Sequence, residues 1–369
     1  MLQVPNLFPE PLNEQRAPAR VDNRAEVIVG DARRVLADFP DGHFRCAVTS
    51  PPYWGLRDYG IAGQIGAEEK VTDYIADLVR LFREVRRTLA DDGTLWLNIG
   101  DSYTSGGRTW RDKDAKNKGR AMDYRAPTPD GLKPKDLIGV PWRLAFALQD
   151  DGWYLRTDIV WNKPNCQPES VRDRPTRSHE YVFLFSKSQR YFYDREAIME
   201  PAQNGKQPAK NRRTVWNINT EPYPGSHFAV YPRALVRLCM AAGSAAGDRV
   251  LDPFFGSGTT GVVANELGRL CTGIELKEEY AEAAASVFKL TGTPAIVISW
   301  PRLVRLRTNS ASMPERFKAR SSANSKRSLL SAWRLNAWWM RRASPIRSRT
   351  ASVTKSESSA RWKSCGSLN

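Results

Sequence analysis

The chain has 369 residues, 41% apolar and 10% aromatic, enough for one large domain or two ordinary ones with a sizeable core. No apolar run is long enough to span a bilayer, and the start, MLQVPNLFPEPLNEQ, lacks the basic-then-apolar order of a signal peptide, so a cytoplasmic protein with no membrane partner is expected. The net charge of +16 is a poor pointer to nucleic acid, because residues 301–369 hold 16 Lys and Arg against 2 Asp and Glu while the first 300 residues hold 40 against 38.

Residues 1–24 are Pro- and Asn-rich and read as a loose lead-in. AEVIVG (25–30) predicts a strand running into Asp31, and FRCAVTS (44–50) a second strand ending at two prolines. DYIADLVRLFREVRRTLADDG (73–93) has apolar residues at three-to-four spacing and predicts an amphipathic helix stopping at Gly93. TLWLNIG (94–100) predicts a buried strand, 101–134 an inserted polar loop, and VPWRLAFALQDDG (140–152) a helix with a glycine stop. YLRTDIVWN (154–162) and EYVFLFSK (180–187) alternate as strands, expected to pair antiparallel. From 231 the order is helix (231–243), strand (248–254), helix (258–268), strand (270–276) and helix (277–290). Such alternation predicts an α/β sheet, mostly parallel. Beyond residue 300, Ser, Arg and Lys dominate and no strand–helix pattern continues, so residues 301–369 read as a disordered basic tail or the product of a shifted frame.

VLDPFFGSGTTGVVA (250–264) sets Gly256, Gly258 and Gly261 in G-x-G-x-x-G spacing, which alone fits a dinucleotide fold. Asp252 stands immediately before the turn, where a pyrophosphate would need amide donors and no nearby anion. A carboxylate there suits a cationic ligand, and S-adenosylmethionine carries an ammonium and a sulfonium and no phosphate. Glu275 ends the next strand, where an acid accepts hydrogen bonds from ribose hydroxyls. Five scattered cysteines without a CxxC pair and three dispersed histidines argue against a metal site.

In VTSPPYWGLRDYG (48–60), prolines remove amide donors and stiffen a strand end that faces the ligand crevice. Pro51 presents a carbonyl acceptor in a set direction and Ser50 adds a hydroxyl beside it. Two acceptors at one spot suit an exocyclic amino group, held so that its nitrogen lone pair faces an electrophile. Tyr53 offers a flat face to a base swung out of its duplex.

From about residue 25 to 290 the chain resembles the amino-group DNA methyltransferases, the N4-cytosine/N6-adenine type. TSPPYW (49–54) resembles their catalytic motif and DPFFGSGTT (252–260) their cofactor motif. HFAVYP (227–232) resembles the segment packing on the cofactor's methionine end, and Gly30–Asp31 the loop near its adenine. The catalytic motif comes first by about 200 residues, the circularly permuted order of the β class. The resemblance implies a doubly wound, mostly parallel sheet of the S-adenosylmethionine-dependent methyltransferase type over residues 25–300. It implies S-adenosyl-L-methionine as cofactor, held by Asp31, Phe228, Asp252, Pro253, Phe254, Gly256, Ser257, Gly258, Thr259 and Glu275. Ser50, Pro51, Pro52 and Tyr53 would hold the target base of double-stranded DNA, with a restriction endonuclease as companion. Serine before the prolines is similar to the N4-cytosine enzymes; an N6-adenine enzyme and a non-catalytic DNA-binding relic are the alternatives. No Pro-Cys dipeptide occurs, which sets a C5-cytosine enzyme aside.

DNA-recognition inserts are expected near 101–134 and 163–226. The first carries Arg108, Trp110 and Arg111; the second opens with Lys163, Arg172, Arg174 and Arg177.

Overall fold

The structure, a computed structural model, describes residues 25–56, 61, 63–104, 128–202, 208–221, 231–290 and 295–300, all within Met1–Leu306, the first of two units into which the chain divides. Eleven strands are described: β1 (Ala25–Val29), β2 (Phe44–Thr49), β3 (Leu89–Ile99), β4 (Tyr154–Asn162), β5 (His179–Ser186), β6 (Glu200–Pro201), β7 (Ala209–Lys210), β8 (Val215–Asn217), β9 (Arg249–Asp252), β10 (Leu270–Glu275) and β11 (Ala295–Ser299). Six α-helices accompany them: α1 (Ala32–Val35), α2 (Val71–Thr88), α3 (Val140–Asp150), α4 (Arg233–Gly243), α5 (Thr259–Glu266) and α6 (Glu278–Leu290). Nine strands form one sheet in the order β11-β1-β10-β9-β2-β3-β5-β4-β8, and β6 and β7 form a separate antiparallel pair. β11 through β3 are mutually parallel; β5 runs antiparallel to β4, as the alternating patterns predicted, and also to β3, which they did not.

Strand periodicity explains the layering. Phe183 and Phe185 face one core with α1, α2 and α3, whereas Val182 and Leu184 face another with α4, α5 and α6. Helices thus cover both faces, the doubly wound arrangement the sequence predicted.

Two boundaries differ from the sequence reading. The helix expected over 73–93 ends at Thr88, and the chain enters the sheet at Leu89, which is fully buried opposite Phe44. The register then shifts between Phe44 and Cys46, so Asp91, Asp92 and Gly93 form an irregularity inside β3 rather than a helix end. β11 was not anticipated. AIVIS is short and its sides are half exposed, so no alternation marks it; it is an edge strand held by pairing with β1. Among the described helices none is long and apolar enough to cross a membrane.

Candidate active site

The carboxyl ends of β1, β2, β9 and β10 meet around a solvent-open cleft of about 990 Å³. β1 delivers Gly30, Asp31 and Arg33; β2 delivers Ser50, Pro51, Pro52 and Tyr53; β9 delivers Pro253, Phe254 and Gly256; β10 delivers Glu275, Lys277 and Tyr280. Although Ser50 and Asp252 lie about 200 residues apart, β2 and β9 are neighbours, so the two motifs close on one crevice.

The glycine turn is built from the strand ends outward. Gly256 and Gly258 take the left-handed backbone, at φ +51° and +81°. The Gly256 amide donates to Glu275 Oε2 at 2.9 Å and the Lys277 amide to Oε1 at 3.0 Å, so the acid at the end of β10 also ties the turn. Burial pushes the Glu275 carboxyl above its ordinary range, against these two amides. At the other end, Asp31 caps α1 and is gripped by Arg33, Nη2 to Oδ2 at 2.7 Å. Burial opposes its ionisation, but the Arg33 hydrogen bonds and charge hold its carboxyl below the ordinary value.

Asp252 is placed differently from the reading that gave it a ligand's ammonium. It is 1% exposed and does not line the cleft. Oδ1 accepts from Thr49 Oγ1 at 2.6 Å and the Phe254 amide at 3.1 Å; Oδ2 accepts from Thr260 Oγ1 at 2.6 Å and the Tyr231 hydroxyl at 2.9 Å. Burial raises its pKa against those four donors. Both carboxylate oxygens of Asp252 are thus engaged by the turn and its neighbours. Ser257 and Gly258 are also buried behind the cleft wall, and Thr259 starts α5 with its hydroxyl 3.2 Å from that of Ser257. Phe228 lies outside the described residues.

On the catalytic side, Tyr53 is part-buried and its hydroxyl donates to Glu180 Oε2 at 2.7 Å. Trp54, 6% exposed, donates its indole N–H to the Glu68 carbonyl at 2.8 Å and anchors the loop in the core. The Tyr74 hydroxyl donates to the Pro52 carbonyl at 2.9 Å. Asn98 donates through Nδ2 to Ser50 Oγ at 3.3 Å and to Glu180 Oε2 at 3.0 Å. Glu180, Asn98, Tyr74 and Arg33 were missed in the sequence. Glu180 carries the signal that marked Glu275, an acid at a strand end, but at the start of an antiparallel strand; the other three read as core or surface positions.

Of the residues expected to touch DNA, Lys163 is turned inward: it pairs with Glu180, at side-chain exposures of 18% and 17%. That ion pair removes it as a free phosphate contact. Arg174 pairs with Glu169 at 2.6 Å and lies 3.9 Å from the centre of the Tyr103 ring; Arg177 lies 3.8 Å from Asp101. Arg172 is exposed. Arg108, Trp110 and Arg111 lie outside the described residues.

The family profile for DNA methylases of the N6/N4 type matches residues 44–286. The chain is 76% identical over 259 residues to the type II methyltransferase M.SmaI of Serratia marcescens, covering 70% of this chain and 89% of that protein. It is 58% identical over 276 residues to the type II methyltransferase M.Cfr9I of Citrobacter freundii, covering 75% and 91%. Among solved structures, TTHA0409 of Thermus thermophilus, determined in complex with S-adenosyl-L-methionine, matches with a TM-score of 0.52 and 26% identity over 74% of this chain and 98% of that one. The cytosine-N4-specific PvuII DNA methyltransferase matches at 0.55 with 19% identity over 75% and 97%, a likeness of fold.

Proposed function

The chain belongs to the DNA methylase family of the N6/N4 type, and from that premise we propose that it transfers a methyl group from S-adenosyl-L-methionine to N4 of a cytosine swung out of duplex DNA. The observation that carries this is a single cleft whose one wall is Ser50, Pro51, Pro52 and Tyr53 and whose other is Pro253, Phe254, Gly256 and Glu275.

The cleft suits a nucleoside with a cationic tail and no phosphate. Its walls carry the carboxylates of Asp31 and Glu275 and apolar faces from Pro253, Phe254 and Ile274. Of the two cations among the described lining residues, Arg33 is paired to Asp31, and Lys277 lies 5.5 Å from the centre of the Tyr280 ring. Asp31 and Glu275 would hold the adenosine end. When bound, the cofactor supplies an electrophilic methyl group on a sulfonium.

The chain's own part is positioning. Tyr74 occupies the Pro52 carbonyl, whereas the Pro51 carbonyl accepts no hydrogen bond among the described residues. Pro51 O and Ser50 Oγ accordingly accept the two N–H groups of the exocyclic amine, turning its lone pair out of conjugation with the ring. Once the methyl group has transferred, the nitrogen sheds its proton to solvent, and Ser50 can serve only as a relay, releasing its own proton as it takes the new one. Tyr53 stacks on the base, worth about 1–3 kcal/mol. The choice of cytosine rests on Ser50, where N6-adenine enzymes more usually carry Asp or Asn. Duplex DNA is the substrate partner, and the type II names of the relatives support a companion endonuclease reading the same site.

Methylation-sensitive sequencing of DNA from cells expressing the chain, with mass spectrometry of the hydrolysed nucleosides, tests the proposal. N4-methylcytosine at one short sequence is expected. N6-methyladenine instead overturns the choice of base, and no new methylated base overturns the activity.

A further inference from the structure

Four strand ends converge behind Tyr53. Because β5 runs antiparallel to β3 and β4, its first residues lie beside the last residues of both, with Trp161 opposite Glu180. Glu180 Oε2 accepts from the Tyr53 hydroxyl at 2.7 Å and from Asn98 Nδ2 at 3.0 Å, while Oε1 is ion-paired with Lys163. Lys163 Nζ lies 4.2 Å from the centre of the Trp161 ring. Asn98 Nδ2 is also 3.2 Å from the Tyr53 hydroxyl, and it bridges to Ser50. Gly100 leaves the slot that the phenol ring fills: a Cβ there would stand 2.7 Å from Tyr53 Cε2.

We propose that Glu180 is a positioning residue of the target-base pocket: its carboxylate, held by Lys163, locks the Tyr53 ring through the phenol hydroxyl, so that one aromatic face stands to the cleft beside Ser50 and Pro51. The proposal rests on the base-flipping reading given above. A tyrosine at the tip of a strand turns about two bonds; the slot at Gly100 limits one rotation and the tether at the hydroxyl limits the other. The proton's place is set as well. Burial and the Glu180 charge both push the Tyr53 hydroxyl well above its ordinary pKa, so it remains the donor. Burial opposes ionisation of Glu180, but the Lys163 charge and the hydrogen bonds from Lys163, Tyr53 and Asn98 hold its carboxyl below the ordinary value. Lys163 is the first residue after β4 and opens the connection to β5 that carries Arg172, Arg174 and Arg177. The tether thus joins the base pocket to the segment expected to meet DNA.

Four variants test this: Glu180→Ala, Glu180→Gln, Tyr53→Phe and the Glu180→Ala/Tyr53→Phe double. Each is measured for S-adenosyl-L-methionine affinity by calorimetry and for single-turnover methylation of duplex DNA carrying the mapped site. Affinity should stay near the parent value. Methylation should fall by about 10- to 100-fold in Glu180→Ala, the size of effect that misplacing a reacting group produces. Tyr53→Phe should fall similarly, and the double variant no further, because both changes remove one interaction. Glu180→Gln should recover part of the rate, since its amide oxygen still accepts from Tyr53. A readout without turnover is the ζ-carbon resonance of Tyr53 in the free protein with labelled tyrosine, identified by its loss in Tyr53→Phe; it should move in Glu180→Ala and in Glu180→Gln. An unmoved resonance, or losses that multiply in the double variant, overturns the proposal. If Glu180→Ala does not fold, the Glu180→Gln resonance decides. A parent chain that leaves DNA unmethylated while the resonance moves sinks the proposed activity and leaves the tether standing.

Discussion

Asp252 illustrates how a carboxylate beside a glycine turn can serve the turn itself. Replacing it with alanine leaves the Thr49 hydroxyl and the Phe254 amide without their acceptor, and the Thr260 and Tyr231 hydroxyls with only each other. Each unsatisfied buried group costs about 1–3 kcal/mol before relaxation. Asp252→Ala should therefore lower stability by about 3–5 kcal/mol in urea titrations, and weaken S-adenosyl-L-methionine binding by loosening Phe254 and Gly256. Full stability with lost affinity would instead mean direct contact with the ligand. Glu180 supplies a pH test. Its folded pKa lies below the ordinary 4.5, so its contribution is present above that value and is lost as pH falls through the lower folded value. The urea midpoint of the parent should drop more steeply than that of Glu180→Gln below about pH 4.5. Parallel curves would show that the carboxylate gains nothing from Lys163 on folding.

Elements are seated on one another here by residues without side chains. Phe255 stacks on Phe288 of α6, centroids 6.0 Å apart, and its ring lies against β10. A Cβ on Gly273 would come within 2.2 Å of that ring, and one on Gly261 within 2.2 Å of Phe288 Cζ. The third glycine of the G-x-G-x-x-G run is thus a packing requirement, while the first two answer a backbone one. Gly273→Ala should cost about 1–3 kcal/mol by overpacking and reduce cofactor affinity, because Phe255 adjoins Phe254 and Gly256 in the cleft wall. Gly100→Ala, at the end of β3, should do the opposite: calorimetry should find cofactor binding retained while turnover on DNA falls, since the new methyl group meets Tyr53. Equal loss of binding in both variants would show that the two ends of the cleft are not separable.

Across the whole molecule, sheet order is what makes one site of two distant motifs. β2 and β9 are adjacent in space, and β1, closing the sheet through β11, adds Asp31. The last described residue, Trp300, donates its indole N–H to Asp38 at 2.7 Å and would stand 2.9 Å from a Cβ at Gly30, so the chain just past β11 packs on the residues that follow β1. Residues 301–369 carry 16 Lys and Arg against 2 Asp and Glu. A chain ending at Trp300 should fold and methylate the same sequence at a similar rate. Loss of activity in a folded truncation, or a change of site, would make those residues functional. A basic arm gripping phosphates would also steepen the salt dependence of DNA affinity by nearly one log–log unit per contact, which titration of both chains over salt would detect.

Periodicity and punctuation are local, and they were enough to read the alternation of strands and helices, the glycine turn before α5, the prolines after β2 and the antiparallel pair β4 and β5. The end of α2 was not legible, because Leu89 continues the apolar spacing of a helix and only its burial opposite Phe44 draws it into the sheet. Candidate residues that line the cleft at or just past their own strand ends, such as Asp31, Ser50, Tyr53 and Glu275, were legible for the same reason: in a parallel sheet the chain leaving a strand's carboxyl end enters the crevice. Lys163, Asn98 and Glu180 were not, since what each does depends on partners 17 to 127 residues away and on the direction of β5. Asp252 stood between these cases. Its place before the turn was legible, but whether its lone pairs face a ligand or four donors of its own chain was decided by β2, α5 and Tyr231 folding onto it. The types of side chain that perform the chemistry are written along single strands; which of them are free to meet a ligand is a property of the contacts that only the folded sheet creates.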